Sequence, residues 1–407
     1  MFRSVRLPTI VTWLLAGLFT LTQVAYAGSS NLTAPMPLVQ AKIQFLERWD
    51  VDHLNNILQV QAPQNFGITT TYTPARNAVN LYRVTYSSVI PEMGNKPTLA
   101  SGLLAIPEGQ STSFSMISYQ HGTVYGRQEV PSFPDNSPET QLMIAQFAGQ
   151  GYVLIGADYF GLGTSTEPEG YMVKASHQQA TYDMLLASRE ILKQKNISTN
   201  KLFLAGWSQG GFVSMSFLQK LEIVGEHVNG TATASAPLDL NTLVSGALYH
   251  PQPNAASWLN SIFILSAFSF ENYYTTPGLA RSVIAEPYYS MSKAAYERKD
   301  YKGVIPTDLH VLLRADMFDP LSFKRSVFGN LLSKTEAYKW LFHSPVRNYY
   351  GEQDEAVPVV DARIAEKYAE QNGNSWVIAI STGPTDHRGT FARAVPQWKL
   401  WFDTLSR

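Results

Sequence analysis

Cysteine is absent from all 407 residues, which excludes disulfides and thiolate metal sites and leaves stability to the hydrophobic core. An excess of charge is also lacking. Lys and Arg number 31 against 32 Asp and Glu, for a formal net charge of −1, and no basic stripe runs along the chain, so nucleic acid is not an expected partner. Long apolar runs are scarce beyond the N-terminus. The longest strongly apolar stretch, Ile262 to Phe270, carries serines and is too short for a bilayer, which needs about 20 residues. No internal repeat or low-complexity tract occurs. No group of His and carboxylates has metal-ligand spacing, and the glycines of Asp158-Tyr159-Phe160-Gly161-Leu162-Gly163 are not followed by a lysine at P-loop spacing. No metal and no cofactor is expected.

What is present is ample apolar material. A 45% hydrophobic and 12% aromatic composition supplies enough surface to offset the entropy of ordering the chain. Residues 1–27 read as a cleavable secretory signal peptide: Arg3 and Arg6 at the start, an apolar middle from Ile10 to Val24, and the small-x-small site Ala25-Tyr26-Ala27. The mature chain would begin near Gly28 with 29 basic against 32 acidic residues, in the periplasm or secreted from the cell. Three N-x-S/T sequons, at Asn31, Asn196 and Asn229, matter only in a eukaryotic secretory pathway.

Residues 28–80 read as an N-terminal arm packed on the main domain, polar and irregular apart from a helix-like stretch around Phe45 to Leu58. From residue 81 the pattern changes to strands. Leu81–Ser87 and Ala100–Ile106 form an expected antiparallel pair. Strands then alternate with helices: Met116–Tyr119, helix Pro138–Gly149, strand Tyr152–Ala157, helix His177–Lys195, a strand at Leu202–Ala205, and strands Thr231–Ser235, Val346–Tyr350 and Trp376–Ile380. That alternation specifies an α/β domain over residues 81–407, with a mostly parallel sheet covered by helices on both faces and ligands at the carboxyl ends of its strands. Between Pro237 and Pro345 lies a stretch too long to be a loop. Its residues 240–335 read as a helical cap inserted before the next core strand, and its aromatic residues, Phe263, Phe268 and Phe270 among them, as an apolar wall for an acyl chain.

Gly206-Trp207-Ser208-Gln209-Gly210 carries the chemistry. Small residues two positions either side of a serine, between an apolar strand and a helix-prone stretch from Phe212 to Leu221, describe a nucleophile elbow. A serine hydroxyl needs a base, and the base needs an acceptor to hold its tautomer. In this chain order the acid and then the histidine follow the serine. Five histidines follow Ser208: His227, His250, His310, His343 and His387. Only His387, in Gly383-Pro384-Thr385-Asp386-His387-Arg388-Gly389, lies just past the last strand and before an amphipathic helix. Asp354, on the loop after strand Val346–Tyr350, is the expected acid, with Glu352, Glu355 and Asp386 as nearby rivals. For the oxyanion hole the backbone N–H groups of Gln209 and Thr123 are expected, the second from His121-Gly122-Thr123 at a strand end.

From about Leu81 onward the chain resembles the secreted lipase and esterase branch of the α/β-hydrolase superfamily, similar to secretory lipases of fungi and to bacterial exported esterases. The features are Ser101-Gly102-Leu103-Leu104-Ala105-Ile106-Pro107, His121-Gly122-Thr123, Asp158 to Gly163, Ala205 to Gly211, and Pro345-Val346-Arg347 running on to Gly351 and Asp354. The resemblance implies Ser208, Asp354 and His387 as the triad, a helical lid before the acid, and hydrolysis of carboxylic esters. The disulfides of fungal relatives cannot form here, which points to a bacterial exported enzyme. A small-molecule or lipid ester is the expected substrate, with transient contact at a lipid interface; the oligomeric state is not fixed by the sequence. Two rival readings share the fold. A serine peptidase of the prolyl-peptidase type would need a propeller domain for which residues 28–80 leave no room, and a catalytically silent binding protein would not need an intact triad.

Overall fold

The computed structural model describes residues 40–406; the leader read at residues 1–27 and the start of the arm lie outside them. Nine strands form one sheet: β1 Ala41–Trp49, β2 Val79–Ile90, β3 Lys96–Pro107, β4 Ser113–Gln120, β5 Val153–Ala157, β6 Ser198–Trp207, β7 Gly230–Ala234, β8 Val346–Tyr350 and β9 Val377–Ser381. Their spatial order is β1-β2-β3-β5-β4-β6-β7-β8-β9. β1, β2, β3 and β5 pair antiparallel in succession, whereas every pairing from β5 through β4 to β9 is parallel.

Both faces of this sheet are buried, which is why its central strands read as unbroken apolar runs. The pleat divides them. Leu104, Ile155 and Leu204 face a core built with helices Lys174–Gln194 and Gln209–Ile223, while Leu103, Leu154, Phe203 and Ala205 face a second core holding helix Pro138–Phe147 and the C-terminal helix His387–Ser406. Helix Pro138–Phe147 starts where Ser137 caps it, its hydroxyl accepting from Thr140 N, with proline at the first position.

The segment after residue 40 departs from the sequence reading. Ala41–Trp49 is a strand paired antiparallel with β2, not the first part of a helix; helical structure begins only at Val51 and runs, with a π-helical stretch Ile57–Gln61, to Phe66. Ile43, Leu46 and Trp49 recur at a helix-like spacing. A bulge between Phe45 and Glu47 breaks the two-residue alternation that would have marked a strand. Nor is the segment peripheral: Trp49, Leu54, Ile57, Leu58 and Phe66 are buried in the second core.

Between β7 and β8 the chain is helical, with Leu240–Tyr249, Asn260–Tyr273 and Glu286–Tyr296 its three longest elements. Among the described residues no helix is long and apolar enough to cross a membrane.

Candidate active site

The parallel register brings strand ends together. Gln120 of β4 is level with Gly206 of β6, Trp207 with Ala234 of β7, Ala234 with Tyr349 of β8, and Tyr350 with Ser381 of β9. Ser208 follows β6 directly, Asp354 lies four residues past β8, and His387 opens the last helix after β9. Three residues far apart in sequence therefore meet at one edge.

Ser208 adopts φ 56° and ψ −124°, a left-handed conformation that a non-glycine residue takes only at a cost of about 1–3 kcal/mol. Its neighbours over-determine it. Ser208 N donates to Ala234 O at 2.9 Å, and Gly211 N donates to Ser208 O at 2.9 Å. A Cβ at Gly206 would run into Gly210 O and Ser214, and one at Gly210 into Gln120 O and His121 O, so both flanking positions admit only glycine.

The side chains form a continuous line. His387 Nε2 lies 2.9 Å from Ser208 Oγ, and His387 Nδ1 lies 3.0 and 3.1 Å from the two oxygens of Asp354. Asp354 Oδ1 also accepts from Ala356 N and Val357 N, each at 2.9 Å. Burial pushes the Asp354 carboxyl up, but the charge and hydrogen bond of His387, helped by Ser235 and Val357 N, override it and hold the group below the usual carboxylate range. Asp354 and His387 are 4% and 3% exposed, so the pair works in a dry environment where such interactions are strong. The Trp207 ring lies 5.1 Å from the imidazole and its Nε1 donates to His387 O at 3.1 Å. Trp258 reaches the same imidazole from the helical segment, ring to ring at 5.6 Å.

The rival carboxylates are engaged elsewhere. Glu355 Oε2 accepts from the backbone N of His387 at 2.9 Å, Asp386 Oδ1 from Gly389 N at 2.7 Å, and Glu352 Oε1 from Ser381 Oγ at 2.7 Å. Of the other histidines, His310 stacks on Phe318 at 3.9 Å and His343 donates its N–H to Glu222. His121 is fully buried, stacked on Tyr159 at 4.1 Å with ring nitrogens against Gly122 O and Asp158 O; burial pushes it down to about 4. It stays neutral and structural.

Among the described residues neither Gln209 N nor Thr123 N donates to a protein acceptor. The 121–126 turn is nonetheless tightly held. Gly122 N donates to the buried carboxyl of Glu139 at 3.0 and 3.2 Å, Tyr125 N and Gly126 N donate to Glu129, and Thr123 Oγ1 is 3.2 Å from the Tyr171 hydroxyl. The role of Glu139 was not visible in sequence, where the second residue of a capped helix reads as an ordinary first-turn acid.

Phe263, Phe268 and Phe270, expected to wall an acyl site, do not line the cavity that reaches the acid loop. All three are buried within the helical segment, with Phe268 stacked against Tyr296 at 5.2 Å and the Phe270 ring 6.0 Å from that of Phe328. A largely apolar cavity of about 440 Å³ is lined by Leu243, Gly246, Leu248, Leu259 and Phe318 among others and reaches the acid loop at Glu355 and Ala356, next to Asp354 in sequence, without being lined by Ser208, Asp354 or His387 themselves. Its lining residues Ser257 and Leu259 flank Trp258, and Ala256 N donates to Glu355 O at 3.0 Å.

No family model matches the chain, and no curated protein matches it. Solved structures do. A provisionally assigned hydrolase from Legionella pneumophila is 21% identical, with a TM-score of 0.80 over 91% of this chain and 98% of its own. A mutant form of the rice cell wall degrading esterase LipA from Xanthomonas oryzae is 20% identical, with a TM-score of 0.78 over 91% and 99%. Candida antarctica lipase A is 12% identical, with a TM-score of 0.58 over 84% and 77%. The chain has the α/β-hydrolase fold of these proteins.

Proposed function

We propose that the chain is a serine hydrolase of carboxylic esters, an esterase or lipase working through an acyl-enzyme. The observation that carries this reading is the unbroken line of hydrogen bonds from Ser208 Oγ through His387 to Asp354 behind a strained serine. In this mechanism Ser208 Oγ attacks the ester carbonyl while His387 Nε2 takes its proton. Asp354 keeps the Nδ1 proton in place and stabilises the imidazolium. Charge then develops on the carbonyl oxygen, where the free N–H groups of Gln209 and Thr123 would meet it. His387 passes its proton to the departing alkoxide, and water repeats the cycle on the acyl-enzyme.

The esterase and lipase names among the structural neighbours support an ester over a peptide bond. The apolar cavity that reaches the acid loop at Glu355 and Ala356 suits the alkyl part of an ester, which binds by burial at roughly 25 cal/mol per Å². We also propose export through residues 1–27, on the composition of that segment; N-terminal sequencing of the mature protein should begin near Gly28.

The deciding experiment is a p-nitrophenyl ester series run beside a peptide panel, with Ser208→Ala as control and fluorophosphonate labelling of the serine. Ester turnover that falls by ~10⁴ or more in Ser208→Ala, with labelling of the wild type alone, is the expected result. Turnover confined to peptides would move the reading to a peptidase. No turnover and no labelling would leave a silent hydrolase fold.

A further inference from the structure

Glu139 is 8% exposed, and among the described residues it forms no ion pair; its carboxyl accepts from the N–H of Gly122 and has the buried Tyr119 hydroxyl as a second neighbour. A buried carboxyl is tolerated where its oxygens are hydrogen-bonded, so what Glu139 binds in this packed helix start matters. A Cβ at Gly122 would lie 3.2 Å from Glu139 Oε2 and 3.3 Å from Trp207 O, so glycine there lets the turn sit between the Glu139 carboxyl and the backbone just before Ser208. On the other side of Thr123, Tyr125 N and Gly126 N are taken by Glu129. Thr123 N is left between two anchored points and has no protein acceptor among the described residues.

We propose that Glu139 is a positioning residue of the oxyanion hole, holding Gly122 so that the N–H of Thr123 points at the carbonyl oxygen of the ester attacked by Ser208. The inference rests on the serine-hydrolase reading and extends it to a residue that touches neither substrate nor triad. An oxyanion donor acts only if it is pre-aimed, because its value lies in avoiding reorganisation as charge appears. Glu139 supplies that aim through one N–H. Burial pushes its carboxyl up to about 8, opposed mainly by the Gly122 N–H, so at neutral pH the neutral amide of glutamine is a close mimic of it.

The test compares Glu139→Asp, whose carboxyl falls one methylene short of Gly122 N, with Glu139→Gln, which keeps an acceptor at the same reach, and with Glu139→Ala. We expect kcat to fall ~10²-fold in the Asp and Ala variants, the loss typical of removing one oxyanion donor, with KM changed less than about threefold and the Gln variant within about threefold of wild type. Affinity for a trifluoromethyl ketone, which forms a tetrahedral oxyanion on the serine, should fall in parallel with kcat/KM. If Glu139→Ala does not fold, the Asp and Gln pair decides, and Gly122→Ala should reproduce the Asp result. Wild-type kcat in Glu139→Asp, a Gln variant as impaired as Asp, or a rise in KM with kcat held would each overturn the proposal. Ser208→Ala run alongside separates the two levels: a Ser208→Ala variant that still turns over ester sinks the serine reading itself, whereas a dead one beside a fully active Glu139→Asp sinks only the role of Glu139.

Discussion

Asp354 and Glu355 are neighbours with the same chemistry, yet one faces the imidazole of His387 and the other its backbone N–H. The difference is one of loop direction: Asp354 is turned inward by the N–H groups of Ala356 and Val357, and the next residue must point away. Asp354→Asn should therefore lower kcat by ~10⁴ through the wrong histidine tautomer, with KM little changed. Glu355→Gln, which keeps an acceptor for His387 N, and Glu352→Gln on the exposed loop should stay within a few-fold of wild type. Steady-state kinetics on one p-nitrophenyl ester checks all three, and a Glu355→Gln variant more damaged than Asp354→Asn would reassign the acid. His387→Ala should match the loss of Ser208→Ala, because a serine hydroxyl without its base is an ordinary alcohol.

At the scale of elements, the helical segment between β7 and β8 separates support from selectivity. Phe268 is packed against Tyr289 and Tyr296, so Phe268→Ala should cost about 3–5 kcal/mol of stability, seen as a lower thermal midpoint and equal proportional loss on short and long esters. Gly246, in contrast, lines the cavity and has nothing within 4 Å of a Cβ placed on it. Gly246→Phe, whose Cβ meets nothing, should project into that space and reduce turnover of long-chain esters at least tenfold more than of acetate. Equal loss on both would remove the cavity from substrate binding. This division was hidden in the sequence, since an aromatic in a helical stretch packs inward or lines a pocket with the same spacing. The central strands were legible because burial on both faces makes them continuous apolar runs; Ser208 sits just beyond such a strand, and Asp354 and His387 were legible because each lies on the connection that follows one of the last two strands. β1 was not, because an edge strand with one bulge loses its alternation. Glu139 was not either, since its partner Gly122 is brought to it only by tertiary packing.

For the whole molecule, buried titratable groups set a pH dependence of stability. Burial raises the carboxyls of Glu139, Asp158, Glu169, Asp183 and Asp361, with Glu139 reaching about 8. Between the ordinary glutamate value of 4.5 and 8 the unfolded chain binds fewer protons than the folded one, so this stabilisation is lost as pH rises through that range. Burial lowers His121 to about 4 and His177 to about 3. There the unfolded chain binds more protons, and stability is lost as pH falls below the ordinary value of 6.5. The two trends oppose each other in weakly acid solution, where the urea midpoint should be highest, declining toward pH 8 and, on the acid side, falling until His121 and His177 also titrate in the folded protein at about 4 and 3. Glu139→Gln should flatten the alkaline side, and an unchanged slope there would mean that Glu139 is already ionised in the folded protein.

Ser208 and His387 are 179 residues apart in sequence, and the imidazole is delivered by the helix that docks after the last strand. A chain emerging from the ribosome therefore carries its serine long before it carries the histidine that faces it. In refolding, hydrolysis should return only after the sheet's circular dichroism signal, when the C-terminal helix closes its Phe391 ring on Trp207. Enzyme turnover thus becomes a clock for the final docking step.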